Sequence, residues 1–62
     1  MTTFEAVMLC EGAEEAENEL QLIDAWQLLI DTNIVWELQG FFGRKARRLI
    51  NAGICSIKQG EI

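Results

Sequence analysis

Between residues 22 and 30 the apolar side chains Leu22, Ile23, Trp26, Leu29 and Ile30 recur at i, i+1, i+4, i+7 and i+8. Only a helix turns all five to one side; a strand would scatter them over two faces. Glu19, Asp24, Gln27 and Asp31 fall away from this stripe. The pattern predicts a helix over residues 14–31. Glu14, Glu15 and Glu17 are expected in its first turns, where the positive end of the macrodipole favours carboxylates. Asn33 stands where the helix has to stop, and Asn tolerates the left-handed conformation that ends helices.

An apolar stripe needs cover, so the rest of the chain is read for partners. Thr2 followed by Glu5 fits a capping box and predicts a first helix ending near Gly12, with Phe4, Val7 and Met8 sharing one face. Residues 34–39, IVWELQ, begin with β-branched residues, but a lone short strand would have nothing to pair with. A helix of one or two turns is expected there, burying Ile34, Val35 or Trp36, and Leu38, and broken by Gly40. From Phe41 or Phe42 the helical period resumes, with Phe42, Ala46, Leu49 and Ile50 along one face and Gly53 as the stop. Gly43 and Ala46, three apart, would let another helix approach closely. Ile54, Cys55 and Ile57 alternate with other residues, as in a short edge strand or a loop folding back on the core. Residues 58–62 are expected to fray.

The predicted fold is a compact all-α bundle of three or four short helices, with or without a short C-terminal extended segment. It forms one domain over residues 1–57, in which the 15–31 and 41–52 helices pack together. A chain of 62 residues buries only about 60% of its unfolded surface, so a homo-oligomer is an open alternative to a free-standing monomer.

Composition narrows the chemistry. There is no His and there are only two Cys, which does not suffice for a structural zinc site; no cofactor motif is present. Cys10 and Cys55 are read as free, buried thiols in a reducing compartment. No apolar run reaches the ~18 residues of a membrane span. Together with the lack of a signal peptide, this predicts a soluble cytoplasmic protein. Carboxylate pairs exist, but on an exposed helix without a pocket they are poor candidates for acid–base catalysis, so no catalytic residue is assigned.

Charge is distributed unevenly. Residues 1–31 hold eight carboxylates and no Lys or Arg, whereas residues 32–62 hold five cations against Glu37 and Glu61, for a net −5. Arg44, Arg47, Arg48 and Asn51 fall at i, i+3, i+4 and i+7, opposite the apolar face of the last helix. Three roles fit such a face. It is solvated and paired with acids of the same chain or a neighbouring subunit; it binds nucleic acid in the manner of a helix-turn-helix reader; or it docks a protein. The segment EGAEEAENE (residues 11–19) is a hydrated helix start or an imitation of a phosphate backbone aimed at a basic groove on another protein. Trp26 and Trp36, at stripe positions, are expected in the core; either one, if exposed, would be an interface anchor. Phe41 points about 100° away from Phe42 on a helix and is expected to face outward.

Residues 28–55, LLIDTNIVWELQGFFGRKARRLINAGIC, resemble a group of small accessory proteins of tailed bacteriophages. These share a pattern of the form L-I-D-T-G-x-x-W-x-L-Q-G-x-[YF]-G-R-x-A-x-x-L-I-x-x-G, with Asn33 here where the group has Gly. The resemblance implies a protein made in the cytoplasm of an infected bacterial host. Proteins of this kind commonly bind a host protein and redirect or inhibit it, defence components included. For the shared residues it suggests structural roles: Gly40 and Gly43 at a bend, Trp36 in the core, Gln39 as a cap, and Arg44 paired with Asp31. The expected function is therefore non-enzymatic binding of a host protein through Glu14, Glu15, Glu17, Glu19 and Asp24, through Phe41, Arg44, Arg47 and Arg48, or through both. A DNA-binding regulator and a self-assembling accessory subunit are the alternatives. Leu22, Trp26, Leu29, Trp36, Gly40, Phe42, Gly43, Ala46, Leu49, Ile50 and Gly53 are the expected structural residues.

Overall fold

The structure, a computed structural model, describes residues 1–57; the expected frayed tail at 58–62 lies outside the described residues. In chain order the elements are α1 (Thr3–Cys10), α2 (Glu19–Asp31), a single 3-10 turn (Ile34–Trp36) and α3 (Gly40–Asn51). The all-α reading holds, and no strand occurs among the described residues: residues 54–57 form a loop that folds back on the core.

Local chemistry sets most of the boundaries. At the start of α1 the Thr2 hydroxyl accepts the Glu5 N–H (3.1 Å) and the Glu5 carboxylate accepts the Thr2 N–H (3.0 Å), the reciprocal capping box. Gly12, at φ +84°, ends the helix. Its N–H reaches the Leu9 carbonyl and the Ala13 N–H reaches that of Met8, the paired bonds of a Schellman motif. Gly53, at φ +79°, does the same for α3, with its N–H on Ile50 and the Ile54 N–H on Leu49. Asn33 takes the left-handed conformation (φ 64°) after α2, as its place in the sequence predicts.

The start of α2 differs from expectation. The helix begins at Glu19, not at residue 14. The Asn18 side chain accepts the Gln21 N–H (2.8 Å) while Gln21 Oε1 accepts the Glu17 N–H (2.7 Å). That pair of bonds fixes the first turn. Glu14, Glu15 and Glu17 therefore lie in the preceding loop, clear of the helix.

The core draws on every element: Ala6 and Leu9 of α1, Ala25, Trp26, Leu29 and Ile30 of α2, Val35 of the turn, Phe42 and Ala46 of α3, and Cys55. The covered stripe of α1 is Ala6–Leu9 flanked by Val7 and Cys10, and Phe4 is 72% exposed. Small side chains explain the choice. With Ala6 and Ala25 fully buried, α1 and α2 face each other across small side chains at these positions, where a ring such as that of Phe4 would hold them apart. Leu22, Leu49 and Ile50 are half-buried against the core. The expected packing of α2 on α3 is made by long side chains, with the Trp26 and Phe42 rings 5.9 Å apart.

A second tie closes the C-terminal end. Gln27 Nε2 donates to the Ser56 carbonyl (2.8 Å) and Gln27 Oε1 accepts the Ser56 N–H (3.0 Å), across 29 positions of sequence. This places Cys55 in the core. Both cysteines are free. Burial, and secondarily the charge of Cys55, pushes the Cys10 thiol up to about 12. Burial, and then Asp31, raises that of Cys55.

Two outcomes follow. Trp26→Ala removes the aromatic link between α2 and α3 at a cost of ~3–5 kcal/mol, enough to abolish cooperative melting in a domain this small, as read by circular dichroism. The folded chain also keeps its thiol protons after the unfolded chain has released them near pH 9, so stability falls as pH rises above that value. The melting temperature in reducing buffer should decline as pH rises above about 9, and less steeply in Cys10→Ala.

Candidate functional site

In a 3-10 turn successive side chains point about 120° apart. Fully burying Val35 consequently turns its neighbour Trp36 away from the core, and Trp36 is 37% exposed. The expectation of a core Trp36 is thereby corrected; the indole instead lies along α3. A Cβ at Gly43 would sit 3.7 Å from its Cε3, an ordinary contact, so what lies over Gly43 is the aromatic ring from the turn, where a neighbouring helix was expected.

Trp36 forms one wall of an open groove of about 480 Å³ whose other lining residues are Gly40, Gly43, Arg44, Arg47, Arg48 and Asn51. The Arg47 Cζ lies 6.0 Å from the indole centroid, within cation–π range. Arg44 folds back over the start of α3, its Nη1 3.0 Å from where a Gly40 Cβ would stand. Gln39 occupies the N-cap position without a side-chain capping bond, so its expected capping role is not observed. The expected Arg44–Asp31 pair is absent as well, and Asp31 accepts from Gln27 Nε2 at 2.9 Å. Among the described residues no Lys or Arg nitrogen comes within 4.0 Å of a carboxylate oxygen. Among the described residues no carboxylate pairs with the arginine face, and none lines the groove.

The other candidate residues lie elsewhere. Glu14, Glu15 and Glu17 are exposed in the loop before α2, and Glu19 and Asp24 are exposed on α2 itself. Phe41 is exposed, as expected, with its ring 4.1 Å from Phe42. It borders a separate, mostly apolar cleft with Leu9, Cys10, Leu22, Trp26 and Lys45, and so does not join the arginines. One residue escaped the sequence reading: Leu20, 70% exposed near the start of α2, one turn before Asp24. The available signal was that Leu20 lies outside the stripe of Leu22, Trp26 and Leu29, a large apolar side chain on a polar face.

No cluster of three or more His, Cys, Asp or Glu side chains suited to a metal ion exists among the described residues. None of the described helices is long and apolar enough to cross a membrane.

Fold and groove together define a small all-α domain with a tryptophan- and arginine-lined surface. Over residues 3–62 the chain belongs to the DUF7417 family, described as a domain of unknown function. No curated protein and no solved structure matches it.

With Trp26 buried and Trp36 in the groove, acrylamide should quench the fluorescence in two classes. Trp36→Phe should remove the accessible class and leave a shielded, blue-shifted emission. Uniform quenching of the two indoles would contradict the placement of Trp36.

Proposed function

We propose that the protein is a non-enzymatic interaction module that binds and modulates a host protein in the cytoplasm of a phage-infected bacterium, and that the Trp36–arginine groove is its docking surface. The observation that carries this reading is the juxtaposition of an exposed indole with three arginines in a groove whose lining holds no carboxylate. Trp and Arg are the residues in which interface binding energy concentrates, and Arg guanidinium is less strongly hydrated than an ammonium group. The host setting is supported by the likeness of residues 28–55 to small tailed-phage proteins. Inhibition of a defence component is one form that such binding takes. The exposed acids from Glu14 to Asp24 form a second surface suited to a basic partner, in the manner of a phosphate-backbone mimic.

Nucleic-acid binding is the alternative that the groove chemistry favours, because Arg forks fit phosphates and indoles stack on bases. Against it stands the net charge of −5, which repels a polyanion. A gel shift on single- and double-stranded DNA across a salt series separates the two: a phosphate binder weakens steeply with log salt.

Immobilised protein should retain one host protein in stoichiometric amount. Trp36→Ala and Arg47→Ala, each with the wild-type melting curve, should lower that retention about tenfold or more. Retention unchanged in both variants removes the groove as the docking surface.

A further inference from the structure

The chain holds ten carboxylates and five Lys or Arg, and yet among the described residues none of these pairs meets. The arginine groove has no carboxylate in its lining, whereas Glu11 and Glu19 border clefts that also hold Lys45. Large apolar side chains are exposed on both helices: Leu20, one turn before Asp24 on α2, and Trp36 beside Arg44, Arg47 and Arg48.

We propose that the groove receives residues 17–24, the end of the acidic loop and the first turn of α2, from a second copy of this chain, so that copies associate head to tail. Two observations select this occupant. The charges are complementary, three arginines against Glu17, Glu19 and Asp24. The apolar anchors correspond, with the exposed Leu20 against the indole of Trp36. The net charge of −5 per copy acts against association at long range, while the groups in contact are of opposite sign and attract at short range.

Acidic turn and groove are different surfaces, so the contact is heterologous. A pair as a whole still offers one free groove and one free acidic turn, and the assembly grows until it closes into a ring or continues as a chain. The inference rests on the groove being a docking surface, as proposed above, but not on the identity of a host partner. It adds a consequence: self-association and host binding compete for the same arginines.

Sedimentation velocity on the full chain tests it. The wild type should form oligomers in low salt that dissociate toward monomer in high salt. R44E/R47E and E19R/D24R should each be monomeric with unchanged helicity. Mixed together they should associate again, because the first retains an intact acidic turn, the second an intact groove, and the reversed groove and reversed turn are complementary as well. Leu20→Ser, a change at an exposed position that leaves the fold intact, should weaken wild-type association about tenfold. The proposal is overturned by a wild type that stays monomeric at every concentration in low salt, by oligomers that persist in both charge-reversed variants, or by a mixture that remains monomeric. A monomeric wild type that still retains a host protein through Trp36 and Arg47 would sink the head-to-tail contact and leave the functional reading standing. Oligomers accompanied by host retention indifferent to those residues would do the reverse.

Discussion

The contact between Trp26 and Phe42 governs where everything on the basic side of the molecule sits. α1 and α2 approach closely because Ala6 and Ala25 present almost no side chain between them. α3 has no such small-residue seam with α2. It is held at the distance of two aromatic rings, 5.9 Å between centroids, and tied at its far end by the paired bonds of Gln27 to Ser56. Side-chain spacing of this kind leaves clefts. Leu22, Trp26 and Lys45 border one that opens toward Phe41 and another that opens toward Ile54. The burial of Trp26 is therefore what fixes the pose of the arginine helix, although Trp26 lies far from the groove in chain order.

The groove arises from a short chain of steric steps. Asn33 ends α2 in the left-handed conformation, and the next three residues have room for one 3-10 turn. Val35 is taken into the core. The tight winding then swings Trp36 outward, and the indole lies on α3 over Gly43. Every arginine of the face projects from the side of α3 opposite Phe42 and Ala46, which are buried. The same burial that stabilises α3 thus aligns Arg44, Arg47 and Arg48 beside Trp36. Packing and site are two faces of one helix.

Charge segregation gives this small domain its functional character. An exposed pair within the chain would contribute only ~0–1 kcal/mol to folding, so little stability is lost by keeping acids and bases apart. What separation leaves is a groove of arginines beside Trp36 with no carboxylate in its lining. Glu14, Glu15 and Glu17, shifted from helix to loop, are exposed and meet no cation among the described residues.

Much of the fold was legible in the residues alone. The capping box at Thr2 and Glu5, the left-handed stops at Asn33 and Gly53, the stripe through Trp26, Leu29 and Ile30, and the face of Phe42 and Ala46 all follow from local hydrogen bonding and helical period. These are short-range properties, decided within a turn or two of chain. Tertiary structure alone decided which sides were covered. Periodicity states that Phe4 shares a face with Val7, or that Trp36 follows a buried-type run, but not whether another element stands opposite. Phe4 lost its place because α2 comes too near, Trp36 because Val35 took the inward position, and Phe41 because its side of α3 faces a cleft away from the arginines. The groove exists because residues distant in sequence compete for one small core, and no local pattern records the outcome of that competition.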